Sequence, residues 1–350
     1  MSNPYISVLI LAHDRRKYLF DAVTSVLSQD FPRDKYEVLV VKYELDNDKE
    51  IDKKLEELGV RVVNTKEVSL GAKIAVGAEE AKGDVLAFLE DDDLFLPGKL
   101  SRLYEVFNKD KKIGYYHNEM IFFDIDKNEE MRRNTEFRRN FILRFKKHFK
   151  DDLIIKGIEF WGKIPIISID FFAFNNSSTA VKKDVILSFN KVYKYSESNH
   201  AVDFLHFILS LELDHLNVVD KKELTVYRVH SSSTMLKKYK RFEDYAKDVI
   251  NISEAQIRNL SLPSTLYKLA NTEKFLATIK YYIELIKYIR EGALGLKSSL
   301  RPLSIIIFIL RNDRSFIYSP GTYLPLIYAI LPSRLKRRVL KHMFKDINHI

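Results

Sequence analysis

Short apolar runs alternate with amphipathic stretches along the first hundred residues of the chain. Short apolar runs are typical of buried strands, and apolar positions spaced three and four apart are typical of helices. The pattern predicts strands at 6–11, 36–41, 60–63 and 85–89, and helices at 16–28, 49–58, 70–81 and 99–108. Strands that alternate with such helices build right-handed βαβ units and a parallel sheet. The first hundred residues therefore predict a doubly wound nucleotide-binding half.

The pattern is less regular after this half. It predicts strands at 114–123, 167–174 and 224–229, a short helix at 182–189 and an almost wholly apolar, buried helix at 202–213. From residue 242 to residue 289 the spacing is helical, in two segments that Pro263 divides. A chain of 350 residues is long enough for one large α/β domain with an appended part.

Four consecutive acids, Glu90, Asp91, Asp92 and Asp93, follow directly on the predicted strand at 85–89. Ligands of open α/β sheets bind just beyond the carboxyl ends of such strands. Adjacent carboxylates repel each other unless a cation neutralises them, and Mg²⁺ or Mn²⁺ bridging to substrate phosphates does this. The alternative is a solvated acidic loop ahead of the helix that starts near residue 99. The acids alone favour neither interpretation.

The net charge of +9 favours an anionic partner. Basic residues are concentrated at 127–150, with nine Lys and Arg against three acids, and from Arg334 onward, with six against one. Apolar residues interleave with them, which favours an anionic membrane surface over a nucleic acid. The segment 127–150 is either a solvated helix or a flap that touches lipid headgroups or an acceptor phosphate. Cysteine is absent, which excludes disulfides and thiolate metal sites.

The last stretch, 296–350, is apolar and then basic. Its apolar runs are shorter than a membrane-spanning helix needs, and Pro320, Gly321 and Pro325 interrupt the longer one. We expect a monotopic membrane attachment that ends in a basic amphipathic helix. A helical subdomain packed on the rest of the protein, or a homodimer interface, is the alternative. The N-terminus has no basic leader segment, so the predicted location is cytoplasmic, peripheral on the inner face of the cell membrane.

Three segments carry a resemblance to a known family. They read ISVLILAHDRRKYLFDAVTSVLSQ, then YEVLVV, then GAKIAVGAEEAKGDVLAFLEDDDLFLPGKL. This order resembles the N-terminal half of family 2 glycosyltransferases with the GT-A fold, and the last segment is its most specific part. The resemblance covers about residues 5–235. It implies an α/β, GT-A-type doubly wound, mostly parallel sheet at 1–235, with a nucleotide-sugar half at 1–110 and an acceptor half at 111–235. A helical extension at 236–295 and the tail at 296–350 would follow.

The resemblance also implies roles for the acids and for one histidine. Glu90, Asp91 and Asp92 fall on the family's Asp-x-Asp motif, so Asp92 would be the direct ligand of Mn²⁺ or Mg²⁺. Asp91 would assist it, and Glu90 would face the ribose or the donor sugar. A Tyr-Arg-x-His strand ending resembles the family's C-terminal catalytic edge, which makes His230 a further metal ligand. Asp203, in the first turn of the apolar helix, matches the family's general base. The alternative is an acid that only complements the helix dipole.

Other contacts to the nucleotide sugar are implied around the first two strands. They are assigned to Ala12, His13, Asp14, Arg15, Glu44 and Lys73, together with Glu90 and Asp91. For Lys73 a plain surface lysine is the alternative.

The chain departs from the family pattern at three places. The pair of acids expected after the second strand is replaced by Val41, Lys42, Tyr43 and Glu44, and Glu44, Asp46 or Asp48 could serve only as substitutes for it. An Arg-Asn pair in the next helix is replaced by Ile74 and Ala75, and the Glu that often precedes the base is replaced by Val202.

The lone tryptophan, Trp161, would stack on a sugar or pack in the core.

The expected function is an inverting, metal-dependent glycosyltransferase. It would move a sugar from a UDP- or GDP-sugar to a hydroxyl of a glycan or a lipid-linked acceptor. A sugar nucleotidyltransferase is less favoured, because LAHDRRKYL lacks a glycine-rich loop after the first strand. A membrane-docked nucleotide- or glycan-binding protein with a degenerate active site is the alternative from a different class.

Overall fold

The computed structural model describes residues 4–13, 16–44, 48–132, 134–136, 138, 153–157, 172–196 and 202–230, together with scattered residues between 244 and 287. Contacts divide the chain into two compact units. The first comprises Met1–Lys156 and Asp170–Ser231, and the second comprises Gly157–Ile169 and Ser232–Ile350. In the second unit the described residues from 244 onward are helical. None of the helices in the described part of the chain is long and apolar enough to cross a membrane.

The first unit is an α/β fold built on a single mixed sheet. The described strands are β1 Ile6–Leu11, β2 Tyr36–Tyr43, β3 Arg61–Thr65, β4 Val85–Glu90, β5 Leu94–Phe95, β6 Ile113–Asp124, β7 Glu129–Glu130, β8 Leu153–Lys156, β9 Thr179–Lys182 and β10 Leu216–Val229. The described helices are α1 Arg16–Leu27, α2 Lys49–Glu57, α3 Leu70–Glu80, α4 Lys99–Lys109, α5 Lys183–Ser188, α6 Asn190–Lys194 and α7 Val202–Glu212. The predicted helices and parallel strands of the first hundred residues are confirmed to within about two residues at each end.

The strands run in the order β3-β2-β1-β4-β9-β6-β10-β5, with β7 on β6 and β8 on β10. The four strands on one side, β3 to β4 in this order, are parallel, and β6 and β10 also pair in parallel. The short β9 lies antiparallel between β4 and β6 and joins the two halves. The predicted α/β, GT-A class of fold is therefore confirmed. The sheet is mixed rather than mostly parallel, because β5, β7, β8 and β9 pair antiparallel with their neighbours.

Core packing explains why these residues form the nucleotide-binding half. All six residues of β1 are buried between β2 and β4, which suits a strand covered on both faces. Ser69 caps the N-terminus of helix α3, and its Oγ accepts a hydrogen bond from the N–H of Ala72 at 3.2 Å. Its small residues let it pack closely, since a Cβ on Gly77 would lie 3.0 Å from side-chain atoms of Leu9 and Val41.

The structure differs from the expectations for the second half at four places. Phe172 and Ala173 are helical, so the strand predicted at 167–174 is wrong at its C-terminal end, and residues 167–171 lie outside the described part. The polar stretch after residue 175 contains β9, and β10 is longer than the predicted strand at 224–229. The described residues at 132–138 are helical, but Asn134, Thr135 and Arg138 are buried. A solvated helix is therefore wrong for these positions; most of segment 127–150 lies outside the described part.

We expect Gly83→Ala to destabilise the protein by about 1–3 kcal/mol, the usual cost of overpacking. A Cβ at this position would lie 2.7 Å from the backbone N of Ser7 and 2.8 Å from the carbonyl carbon of Ile6. These backbone atoms belong to β1, which is fixed on both sides, so they cannot move away cheaply. The measurement is the free energy of unfolding in urea. The neighbouring Lys82 is exposed, so Lys82→Ala is the control and should change stability by less than about 0.5 kcal/mol.

Candidate active site

The chain segments that follow β1 and β4 lie side by side at one edge of the sheet. The two strands are parallel neighbours, and Leu11 at the end of β1 is paired with Glu90 at the end of β4. Beyond them, the backbone N–H of His13 donates a hydrogen bond to Oδ2 of Asp91 at 2.6 Å. Because ligands of such sheets bind beyond these strand ends, this edge is the candidate site. We call Glu90–Asp93 the acidic cluster.

The next two acids of the cluster face the end of β10. Oδ2 of Asp92 lies 3.0 Å from Nε2 of His230. Oδ1 of Asp93 accepts a hydrogen bond from the backbone N–H of Arg228 at 2.9 Å. All four residues are buried. Asp92 and His230 are 138 residues apart in the sequence, and the structure brings them together. The family resemblance assigned both residues to one metal site.

Arg228 connects the end of β10 to the acidic cluster and to α1. Its Nε donates to the backbone carbonyl of Asp92, and its Nη1 lies 2.8 Å from Oδ2 of Asp21. The guanidinium also lies over the Tyr18 ring, 5.0 Å from its centroid. The ring of His230 is 5.1 Å from the same tyrosine. Sequence reasoning assigned no role to Arg228, although it quoted the strand ending that contains it.

The electrostatics of the acidic cluster favour a proton on Asp93. Burial raises the pKa of Asp93 to about 8, and the nearby charge of Asp92 acts in the same direction. Ser177 and the backbone N–H and charge of Arg228 oppose this rise. At neutral pH the Asp93 carboxyl is therefore mostly protonated, which removes one negative charge from the crowded cluster.

The residues at this edge fit a divalent cation that is shared with a substrate. Within the part of the chain that the structure describes, no group of three or more His, Asp and Glu side chains is arranged to hold a metal ion. Asp92 and His230 supply two converging side chains. Mg²⁺ and similar ions are commonly bound by one or two carboxylates, with phosphate oxygens and waters completing the shell. Asp91, the preceding residue, accepts a hydrogen bond from the backbone N–H of His13 in the loop after β1.

Asp203 lies in the first turn of α7, as predicted. Its Oδ1 accepts a hydrogen bond from the N–H of Phe204 at 3.0 Å, and its Oδ2 accepts one from the N–H of Asn175 at 3.1 Å. Burial raises the pKa of Asp203 to about 6, and the backbone N–H groups of Phe204, Asn175 and Asp203 itself limit the rise. Part of its surface stays accessible, in contrast to the apolar residues around it. A carboxylate with this pKa is suited to accept a proton at neutral pH.

Residues 175–178, which we call the bridging turn, contact both Asp203 and the acidic cluster. Asn175 donates its backbone N–H to Asp203. Two residues later, Oγ of Ser177 accepts a hydrogen bond from the backbone N–H of Glu90 at 3.0 Å. Asn175 Oδ1 in turn accepts from the N–H of Ser177 at 3.0 Å. Asp203 and the acidic cluster are therefore neighbours of one short turn.

Lys73 is buried, so the alternative of a surface lysine is wrong. Its Nζ donates a hydrogen bond to the backbone carbonyl of Ala12 at 2.8 Å. The amine therefore lies against the loop after β1, at Ala12. This placement is compatible with the predicted contact to a diphosphate, which stays a prediction.

The remaining predicted site residues are distributed as follows. Glu44 is exposed just beyond β2, and its backbone N–H donates to Thr65 at 2.8 Å. Asp48, a suggested substitute for the missing acids, instead caps α2 by accepting from the N–H of Ile51 at 3.2 Å. The predictions for four further residues fall outside the described part of the chain: Asp14, Arg15, Asp46 and Trp161.

The fold resembles that of two solved structures. Crystal structures of Staphylococcus aureus TarS 1-349 with UDP-GlcNAc share the fold, with a TM-score of 0.53 and 15% identity over 98% of this chain and 92% of that chain. The mannosyltransferase PcManGT of Pyrobaculum calidifontis, with GDP-Man and Mn²⁺, has a TM-score of 0.52 and 12% identity over 94% of this chain and 86% of that chain. These similarities identify the GT-A class of fold.

Sequence comparison finds a family match for part of the chain. Residues 7–166 match the model of glycosyl transferase family 2. An uncharacterized glycosyltransferase of Nostoc sp. (strain PCC 7120) is 32% identical over 125 residues, which are 35% of this chain. The match spans 38% of the length of that curated relative. Residues 7–166 of the protein are therefore similar to family 2 glycosyltransferases, as the resemblance of the three segments implied.

Proposed function

We propose that the protein is an inverting glycosyltransferase that moves a sugar from a nucleotide-sugar donor to an acceptor hydroxyl. One observation carries the proposal: the bridging turn contacts both Asp203 and the end of β4, so a base and an acidic cluster border one site. TarS binds UDP-GlcNAc and PcManGT binds GDP-Man with Mn²⁺, which supports a UDP- or GDP-sugar as the donor.

Asp203 acts as the general base in this proposal. Its carboxylate takes the proton from the acceptor hydroxyl, and the oxygen attacks the anomeric carbon as the bond to the diphosphate breaks. A single displacement of this kind inverts the anomeric configuration and needs no covalent intermediate with the protein. Glu90, at the end of β4, faces the donor sugar or ribose in this arrangement.

The acidic cluster and its neighbours bind the diphosphate. Asp92 and His230 would hold Mn²⁺ or Mg²⁺, with Asp91 assisting from the adjacent loop. A bound cation would neutralise the charge that develops on the leaving diphosphate. Lys73 supports the loop after β1, where Ala12 and His13 would contact the nucleotide. Asp14, Arg15 and Glu44 keep the nucleotide-binding roles that the family resemblance implied.

The acceptor and the location extend the same proposal. The basic and apolar stretches at 127–150 and 296–350 support a lipid-linked or cell-surface glycan acceptor and attachment to an anionic membrane. The protein would then act from the cytoplasm on the inner face of the cell membrane. As the alternative, the apolar residues of the tail at 296–350 would form a homodimer interface.

We expect a UDP- or GDP-sugar to stabilise the protein against heat only when Mn²⁺ or Mg²⁺ is present. At a ligand concentration of about 100 times Kd, binding adds about 2.7 kcal/mol to the free energy of unfolding. The measurement is the melting temperature with UDP-GlcNAc, UDP-glucose, GDP-mannose and related donors, each with and without Mn²⁺. Free UMP serves as the control, because it lacks the diphosphate. Stabilisation by none of the donors would contradict the proposal.

Sugar transfer is expected to weaken as the pH falls below about 6. Asp203 must be ionised to accept a proton, and its pKa is raised to about 6 by burial, so the active fraction rises with pH through this value. The measurement is kcat/KM between pH 5 and pH 8 with the donor identified above. A rate that stays constant down to pH 5 would contradict the role of Asp203.

A further inference from the structure

The bridging turn has a backbone conformation that a side chain must stabilise. Asn175 has φ 74° and ψ 110°, a region that residues other than glycine rarely adopt. Its own side chain holds this conformation, because Oδ1 accepts from the N–H of Ser177 at 3.0 Å. Nδ2 lies 3.7 Å from the sulfur of Met120 on β6. Asparagine tolerates such a conformation better than most residues, since its short amide bonds to nearby backbone.

This unusual conformation aims the N–H of Asn175 at Asp203. A backbone rotation at residue 175 would remove the hydrogen bond to Oδ2 and leave the carboxylate with only its contact to the N–H of Phe204. Ser177, two residues further along the turn, contacts Glu90. The position of the Asp203 carboxylate relative to the end of β4 therefore depends on the conformation of Asn175.

A second set of hydrogen bonds fixes the turn from the sheet. Oγ1 of Thr225 donates to the carbonyl of Ser177 at 3.2 Å. Thr225 in turn accepts from Nδ2 of Asn118 at 3.0 Å. Oδ1 of Asn118 accepts from the buried amine of Lys99, which also lies 3.4 Å from the carbonyl of Ser178. The carboxyl-terminal part of the turn is thus fixed by β6, β10 and α4, which leaves Asn175 as the residue that sets the direction toward Asp203.

We propose that Asn175 is a positioning residue that orients the base Asp203 relative to the acidic cluster through the bridging turn. The proposal rests on the catalytic role of Asp203 given above. Asn175 need not touch the substrate, because its backbone N–H acts on the carboxylate and its side chain acts on the turn. Ser177 carries the same constraint to the end of β4.

Other titratable groups lie near this contact. Tyr115 of β6 donates its hydroxyl to the carbonyl of Phe172 at 2.9 Å. On the other side of the turn, Arg138 pairs with Glu119 at 3.2 Å and lies over the Phe174 ring. The hydrogen bond from Asn175 lowers the pKa of Asp203 against the effect of burial. Its loss should therefore raise the pKa of Asp203.

The test is the titration of Asp203 in Asn175→Ala and Asn175→Gly variants of the full chain. The ¹³C carboxyl resonance is assigned by its absence in Asp203→Asn, and its midpoint is measured between pH 4 and pH 9. We expect a midpoint near 6 in the unsubstituted protein and a value higher by roughly half a pH unit or more in both variants. Alanine is strained at positive φ, whereas glycine is not. The glycine variant therefore removes only the side-chain bonds and still decides the question if the alanine variant does not fold.

Asn128 offers a matched control. It also has a positive φ, 53°, but it is exposed in the turn between β6 and β7. Asn128→Ala and Asn128→Gly should leave the midpoint of Asp203 unchanged. An unchanged midpoint in folded Asn175→Gly would overturn the proposal, because a merely structural asparagine lowers stability without moving the titration of Asp203.

Kinetics supply a second readout. With the nucleotide sugar that stabilises the protein, Asn175→Gly should lower kcat roughly tenfold or more by misplacing the base, with KM for the donor nearly unchanged. An equal loss through KM would contradict a positioning role. If the unsubstituted protein transfers no sugar, the proposed function fails, while the titration of Asp203 still decides whether Asn175 orients this carboxylate.

Discussion

Replacing Asp203 with asparagine is expected to lower the rate of sugar transfer by roughly 10²- to 10⁴-fold, the usual contribution of a general base. Asparagine has nearly the same shape but cannot take a proton from an acceptor hydroxyl. Its amide oxygen can still accept one of the two hydrogen bonds from the N–H groups of Asn175 and Phe204. The loss should therefore fall on kcat, and donor binding should persist. The measurement is steady-state release of nucleoside diphosphate at pH 7.5, together with the melting temperature in the presence of donor and Mn²⁺.

Asp214 provides the control for this substitution. It lies just beyond the other end of the same helix, α7, and is exposed with a positive φ of 58°. Asparagine tolerates that conformation, so Asp214→Asn should retain full activity. Full activity in Asp203→Asn would remove the proposed base. A protein that binds the donor but never transfers sugar, with or without Asp203, would instead support the binding-protein alternative.

The nucleotide-binding half was predictable because its signals are local. Strands β1, β2 and β4 are apolar runs buried between neighbours, and the helices that follow the strands have the expected spacing of apolar residues. The shorter β3 lies at the edge of the sheet. The second half lacks such signals. Strand β9 has only the four residues TAVK and is defined by its pairing with β4 and β6 rather than by its own pattern.

Strand β10 shows why tertiary contacts decide its boundaries. Its pairing with β6 shifts register between Asp220 and Glu223. Because the residues there are charged, the sequence pattern predicted only the second half of the strand. Asp220 is nevertheless buried, because Arg102 lies 2.6 Å from its carboxylate and the Tyr116 hydroxyl donates to it at 3.0 Å. A buried, paired acid of this kind cannot be distinguished from a loop acid by local pattern alone.

The candidate site was only partly predictable for the same reason. The acidic cluster is evident from four consecutive acids after a strand, but pairing His230 with Asp92 needed the family resemblance. Asn175 gave no signal beyond a polar stretch, because its left-handed conformation follows from contacts with Ser177 and Met120. Arg228 was likewise hidden, since its importance comes from simultaneous contacts to β4 and α1.

The second large effect is expected at Asp92. Asp92→Asn should abolish the Mn²⁺-dependent stabilisation by the nucleotide sugar and lower the transfer rate by roughly 10²-fold or more. Asparagine keeps the shape of the side chain and leaves the backbone carbonyl free to accept from Arg228. It removes the negative charge that faces His230 and that would hold the cation. The measurements are the melting temperature across a Mn²⁺ titration with donor present, and the turnover rate at saturating Mn²⁺.

Asp21→Asn is the matched control for Asp92→Asn. Asp21 also contacts Arg228, at 2.8 Å, but its side chain is 60% exposed whereas that of Asp92 is 8% exposed. Exposed ion pairs contribute about 0–1 kcal/mol, so this variant should lose little stability and keep the response to Mn²⁺. The comparison separates loss of a metal ligand from loss of a carboxylate near Arg228. If Asp92→Asn retains the Mn²⁺ response of the unsubstituted protein, the cation is bound elsewhere, and the assignment of Asp92 and His230 as its ligands is wrong.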